Sequence, residues 1–94
     1  MLTSTSRFET AHASRYLQAL CKHFAHKVPV AFDTATGQAS LPPGPARFRA
    51  DESGLDIEVT GADGDALARA KFIVEDHLLR FAFREKPGAL TWSA

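Results

Sequence analysis

The sequence predicts an α+β two-layer sandwich in which both helices cover one face of an antiparallel sheet. Three observations carry that expectation. Residues 11–26 and 65–84 repeat apolar side chains at three- and four-residue steps, the period of a helix with one buried face. Between them, Ala46-Arg-Phe-Arg-Ala50 and Leu55-Asp-Ile-Glu-Val59 alternate apolar and charged residues, so one face of the sheet is covered and the other is wet. Clusters of turn residues cut the intervening chain into short strands, and the two amphipathic helices are the available cover.

Taken in order, residues 3–10 are rich in Thr and Ser, carry Arg7 and Phe8, and read as a first strand with weak alternation. Ala13, Leu17, Leu20, Cys21 and Phe24 then define the buried stripe of a helix over residues 11–26. Residues 28–32, 38–41, 46–50 and 55–60 form a four-stranded meander. Its strands are separated by Asp33-Thr-Ala-Thr-Gly37, Pro42-Pro-Gly-Pro45 and Asp51-Glu-Ser-Gly54. Asp63 is placed to cap a second helix over residues 65–84, whose inward stripe is Leu67, Ala70, Val74, His77, Leu78 and Phe81, and Pro87 lies beyond its end. The order strand, helix, four strands, helix resembles the TATA-binding-protein-like topology. The likeness concerns topology alone, because the wet face pairs Arg47 and Arg49 with Asp56 and Glu58 where nucleic acid would demand a uniformly basic surface.

Ninety-four residues, 45% hydrophobic, suffice for one core, and no linker or repeat divides them; residues 1–94 are expected to form a single domain. Eleven basic and 11 acidic side chains cancel, which disfavours nucleic acid and anionic membranes as partners of the whole molecule. The charges are nonetheless segregated: Arg7, Arg15, Lys22 and Lys27 stand against Glu9 in the first 30 residues, whereas residues 31–66 hold seven acids against two arginines. A lone cysteine forms no internal disulfide, and no basic start followed by an apolar run is present, so the cytoplasm is the expected compartment and no membrane partner is expected.

Two strings are unusual: Ala13-Ser-Arg-Tyr-Leu leading into Leu20-Cys-Lys-His-Phe-Ala-His-Lys27, and His77-Leu-Leu-Arg-Phe-Ala-Phe-Arg-Glu85. Together with Leu41-Pro-Pro-Gly44 and Leu90-Thr-Trp92, they resemble the bacterial domain-of-unknown-function family 2218 across essentially the whole chain. That resemblance implies no established activity. It does imply an association with iron acquisition, since the family's domain also occurs joined to siderophore-interacting reductase modules. This chain lacks the flavin and nicotinamide modules of such reductases, so no cofactor is expected.

The residues themselves suggest three kinds of chemistry. On a helical wheel His12, Tyr16 and His23 line up beside the core stripe with Lys27 at the far end, forming either a ligand groove or the polar border of the helix. His23 and His26 are spaced to approach one metal ion, and His77 lies on the other helix. Cys21, about 200° around the helix from His23, belongs to the core, and the spacing matches no closed zinc pattern; tight metal binding is not expected. Enzyme chemistry lacks an orienting carboxylate for a Cys–His pair, and the adjacent Glu75 and Asp76 diverge on a helix. A fourth signal is the outward set Phe72, Leu79 and Phe83, which needs cover either from Trp92 and the C-terminal tail or from a protein partner, a second copy or a siderophore-interacting reductase. The resulting expectation is a non-catalytic binding or interaction domain, with the resemblance implying an accessory role in siderophore-iron utilisation. The alternative is a metal- or ligand-dependent enzyme using histidines of the two helices.

Overall fold

The computed structural model describes residues 1–85 and 87–93 and has the expected order of elements. Strand β1 (Leu2–Glu9) leads to helix α1 (Ala13–Phe24). Strands β2 (Val30–Phe32), β3 (Thr36–Ala39), β4 (Ala46–Ala50) and β5 (Gly54–Gly61) follow, then helix α2 (Gly64–Phe81) and a 3-10 turn, Phe83–Glu85. The five strands form one antiparallel sheet in the order β1-β5-β4-β3-β2. The meander accounts for β2 to β5, and β1 closes the sheet by pairing along the whole of β5, from Leu2 opposite Gly61 to Glu9 opposite Gly54.

Both helices pack on the same face. Ala39, Ala46, Phe48, Ile57 and Val59 of the sheet join Leu17, Leu20, Cys21 and Phe24 of α1 and Ala70, Val74 and Leu78 of α2 in one contiguous core. The opposite face carries the charges. Arg47 and Arg49 stand across from Glu58 and Asp56 without a direct ion pair among the described residues, while Arg7 reaches Asp56 at 2.8 Å, Asp51 at 3.0 Å and Glu9 at 3.1 Å. These exposed pairs fix the Arg7 side chain more than they stabilise the fold.

Close approach of α1 to the sheet depends on Gly37. A Cβ there would stand 2.7 Å from Cys21 Sγ and 3.3 Å from Leu17 Cδ2, so only glycine lets the helix lie at this height. Gly44 plays the same part in the Leu41-Pro-Pro-Gly44 turn, where a Cβ would overlap the Thr60 carbonyl oxygen.

Element boundaries differ from the sequence expectations for local reasons. α1 begins later because the Thr10 hydroxyl accepts the His12 N–H at 3.1 Å and turns the chain before the helix. It ends at Phe24, whose carbonyl accepts both the Lys27 and Val28 N–H groups, and Pro29 keeps Val28 from continuing the helix. Strand β3 starts at Thr36, two residues earlier than expected, because the Asp33 carboxylate accepts the Ala35 and Thr36 N–H groups at 2.8 and 2.7 Å and closes a tight turn. Asp63 caps α2 as expected, accepting the Ala66 N–H at 2.8 Å.

α2 stops at Phe81 instead of Arg84, and its buried row is Ala66, Ala70, Val74 and Leu78, continued by Ala82. This four-residue spacing, with small alanines, brings the helix axis close to the sheet. Phe81, expected in the inward stripe, is instead 37% exposed at the rim, and Leu67 and His77 are half-buried.

The C-terminal tail covers the free edge of β1. Ser93 N–H donates to the Thr5 carbonyl at 2.9 Å, the Ser4 hydroxyl donates to the Ser93 carbonyl at 2.6 Å, and the Ser6 hydroxyl donates to the Thr91 carbonyl at 2.8 Å. An exposed edge strand invites pairing with other chains, so this cover has a protective consequence. Trp92 packs against the core and donates from Nε1 to the Glu75 carboxylate at 2.8 Å. The tail therefore does not cover Phe72 and Phe83, which remain 69% and 64% exposed, and Leu79 is half-buried. Among the described residues no helix is long and apolar enough to cross a membrane.

Candidate functional site

The last turn of α1 meets the C-terminal part of α2 at a pair of imidazoles. His23 and His77 have ring centroids 4.6 Å apart with their planes inclined at 42°. Phe24 meets His77 edge-on at 5.3 Å, and Phe81 meets His23 edge-on at 6.0 Å. The local sequence explains the meeting. His23 precedes the buried Phe24, which places it at the rim of the α1 core face, and His77 precedes the buried Leu78 in the same way on α2.

His77 is oriented by its own helix. Its Nδ1 lies 2.6 Å from the Ile73 carbonyl, and because a carbonyl only accepts, Nδ1 carries the proton and Nε2 keeps a free lone pair in the neutral ring. His23, exposed at the rim, is held below the ordinary imidazole range first by the limited desolvation it meets there, and then by repulsion between its charged form and His77, His26, Lys27 and Arg80.

These rings open into a cleft of about 320 Å³ between the helices and the turn after β3. His23, Phe24 and Lys27 form one wall, Ile73 and His77 the second, and Leu41 with Pro42 the third. Mostly apolar walls with a few free polar groups are the usual composition of a small-molecule site. The open sheet face holds a larger hollow of about 700 Å³ under Thr91 and Ser93, but it is shallow and its Arg47 and Arg49 are balanced by Asp56 and Glu58. The smaller cleft is the more enclosed of the two and holds unspent polar groups, His23 and Lys27 at its exposed rim among them, which makes it the candidate site.

Of the groove residues expected from the sequence, the structure brings His23 and Lys27 to the cleft and leaves His12 and Tyr16 at the other end of α1. Eleven residue steps take the chain from His12 to His23, about 16 Å along the helix axis. Tyr16 is engaged there in a latch: its hydroxyl donates to the Glu85 carboxylate, which also accepts from the Thr10 hydroxyl at 2.9 Å. The Tyr16 hydrogen bond chiefly holds Glu85 below the usual carboxylate range, while burial and Glu85 together raise the Tyr16 hydroxyl above its own. His12 packs edge-on against the Tyr16 ring at 6.4 Å.

Of the three histidines considered for a metal, His77 joins His23 and His26 does not. His26 lies exposed in the turn after α1 and influences His23 only through charge. No group of three or more His, Cys, Asp or Glu side chains suited to a metal ion occurs among the described residues. Cys21 is buried, and burial pushes its thiol up to about 11, which makes it a packing residue and a poor nucleophile. Sequence reasoning missed Glu85, Ile73 and the Leu41-Pro42 wall. The available signals were the four-residue step from Ile73 to His77 and the position of Leu41-Pro-Pro-Gly44 in the family resemblance.

An NMR structure of PA4090 from Pseudomonas aeruginosa matches this fold with a TM-score of 0.82 and 31% sequence identity, covering 99% of this chain and 96% of that one. No curated protein matches the chain. The strings that build the two helical walls of the cleft are those that carry the family resemblance. The family described as uncharacterised proteins conserved in bacteria, DUF2218, matches residues 5–93, nearly the entire fold from β1 to the tail, and the chain belongs to it.

Proposed function

We propose that the chain is a small non-catalytic binding domain whose ligand occupies the cleft between His23 and His77. The observation that carries this reading is the coincidence, in one partly enclosed cleft, of apolar walls with an imidazole pair and the Lys27 ammonium. Lys27 sets a positive potential in the cleft, and Phe24 and the two imidazoles offer ring faces. A small planar molecule bearing an acidic group satisfies both. Absence of an acid/base relay among the described residues supports a binding role over catalysis: His77 is oriented by a backbone carbonyl, and no carboxylate accepts from either ring. The place of such a domain in siderophore-iron utilisation rests on the family resemblance alone.

Benzoate is a suitable first probe, followed by amide chemical shifts. Saturable shifts centred on residues 23–28, 41–42 and 73–77, abolished by Ile73→Trp, are expected. Shifts confined to the open sheet face, or unaffected by Ile73→Trp in a folded variant, would refute the assignment. A second reading is supported by the exposure of Phe72 and Phe83: it assigns that face of α2 to a protein partner, either a second copy of the chain or a siderophore-interacting reductase.

A further inference from the structure

We propose that His23 and His77 form a two-imidazole site for a divalent transition metal, Cu(II) foremost, that arrives carrying a small anionic co-ligand. The inference rests on the cleft being the ligand site and names the class of ligand it takes.

The argument begins with ring geometry. An imidazole bound through nitrogen at ~2.0 Å has its centroid ~3.1 Å from the metal, so two rings in neighbouring coordination positions have centroids ~4.5–5 Å apart. The observed separation is 4.6 Å, and the 42° inclination departs from a parallel stack. His77 is prepared for this role. Its Nδ1–H is committed to the Ile73 carbonyl, which fixes the ring and leaves Nε2 as the ligating atom, the arrangement that backbone carbonyls commonly impose on metal-bound histidines. His23 has no hydrogen-bond partner among the described residues, so binding a metal breaks no existing contact of its ring.

Two imidazoles do not close a coordination sphere, which leaves positions for an exogenous ligand. The surroundings state what kind. The Lys27 ammonium lines the cleft beside the imidazoles, and it opposes a bare dication but complements one whose charge is offset by carboxylates or phosphates. Apolar Leu41, Pro42 and Ile73 then enclose the organic part of the complex. Among divalent first-row metals, Cu(II) binds imidazole most strongly and accepts neighbouring in-plane nitrogens.

The test uses Cu(II) iminodiacetate, a chelated copper with open positions, titrated into the whole chain and followed by electron paramagnetic resonance. One complex per chain is expected, with hyperfine coupling to two imidazole nitrogens beyond the chelate's own. His23→Gln and His77→Gln should each remove one of those nitrogens and weaken binding at least about tenfold. His12→Gln and His26→Gln should leave the spectrum and affinity unchanged, and amide spectra establish that each variant is folded. Copper binding that survives both the His23 and His77 substitutions, or that shows a single imidazole nitrogen in the wild type, overturns the proposal. If benzoate still maps to the cleft while the wild type takes no copper complex, the metal inference fails and the binding-cleft reading stands. If benzoate binding and copper binding both survive Ile73→Trp, the cleft itself is the wrong site.

Discussion

Gly37→Ala tests the packing that sets the height of α1, and with it the position of His23. The added methyl would stand 2.7 Å from Cys21 Sγ, with Leu17 Cδ2 and Phe32 Cβ at 3.3 Å. Sulfur and carbon at van der Waals contact need ~3.5–4 Å, so the helix must move by about an ångström or Cys21 must leave its rotamer. Overpacking of a filled core costs about 1–3 kcal/mol. Replacing glycine also narrows the unfolded ensemble, which returns about 0.4–1 kcal/mol. A net loss of about 1–2 kcal/mol remains, or a fall in Tm of about 4–16 °C for a domain of this size. Cys21→Ala removes the offending sulfur, so the double variant should be more stable than the sum of the single changes predicts by about 1 kcal/mol. Thermal and urea unfolding of the four proteins read this directly. Because His23 lies half a turn beyond Cys21, the single variant should also weaken ligand binding in the cleft, and the double variant should recover it. A Gly37→Ala protein as stable as the wild type, or strictly additive changes, would refute the account of how α1 is seated.

Two further outcomes follow from the latch and from the outer face of α2. Glu85 is held below its ordinary range in the fold, so its contribution to stability is present above the unfolded carboxylate value and is lost as pH falls through the folded one. Glu85→Gln should therefore flatten the decline of Tm between about pH 6 and pH 3, and a variant with the wild-type acid profile would show that the Tyr16–Glu85 contact is absent in solution. Phe72 and Phe83 touch little of their own chain, so Phe72→Ser with Phe83→Ser should change stability by no more than about 0.5 kcal/mol each. If the face is an interaction surface, sedimentation at high concentration should show self-association in the wild type that this double variant loses; an unfolded double variant would instead make the face part of the core. Leu79 is half-buried and would confuse loss of partner with loss of packing.

The parts of the fold readable in the sequence are those in which side-chain periodicity reports burial directly. Alternation in Ala46-Arg-Phe-Arg-Ala50 and Leu55-Asp-Ile-Glu-Val59 corresponds residue by residue to the covered and wet faces of β4 and β5, and Asp63 caps α2 as its side chain and position predict. Boundaries were harder, because they depend on polar contacts without a period. The Asp33 carboxylate starts β3 early, and the Thr10 hydroxyl delays α1. Phe81 shows the limit of the helical wheel: Ala66, Ala70, Val74, Leu78 and Ala82 form the packed row, and Phe81 lies at its margin, at the rim against the His23 ring.

The candidate site illustrates a different limit. His12, Tyr16, His23 and Lys27 share a helix edge, and a wheel sees that edge as one surface. What divides it is contact with elements distant in sequence: Glu85 claims Tyr16 at one end, and His77 claims His23 at the other. The two strings of the family resemblance thus meet twice in space, once in a latch that uses its polar groups internally and once in a cleft that leaves them free. A group already hydrogen-bonded within the fold has little left to offer a ligand, whereas the His23 ring, His77 Nε2 and Lys27 have no side-chain partner among the described residues. This difference in unspent bonding, more than the density of reactive residues along α1, is the reason the proposed ligand site is placed at the His23–His77 end.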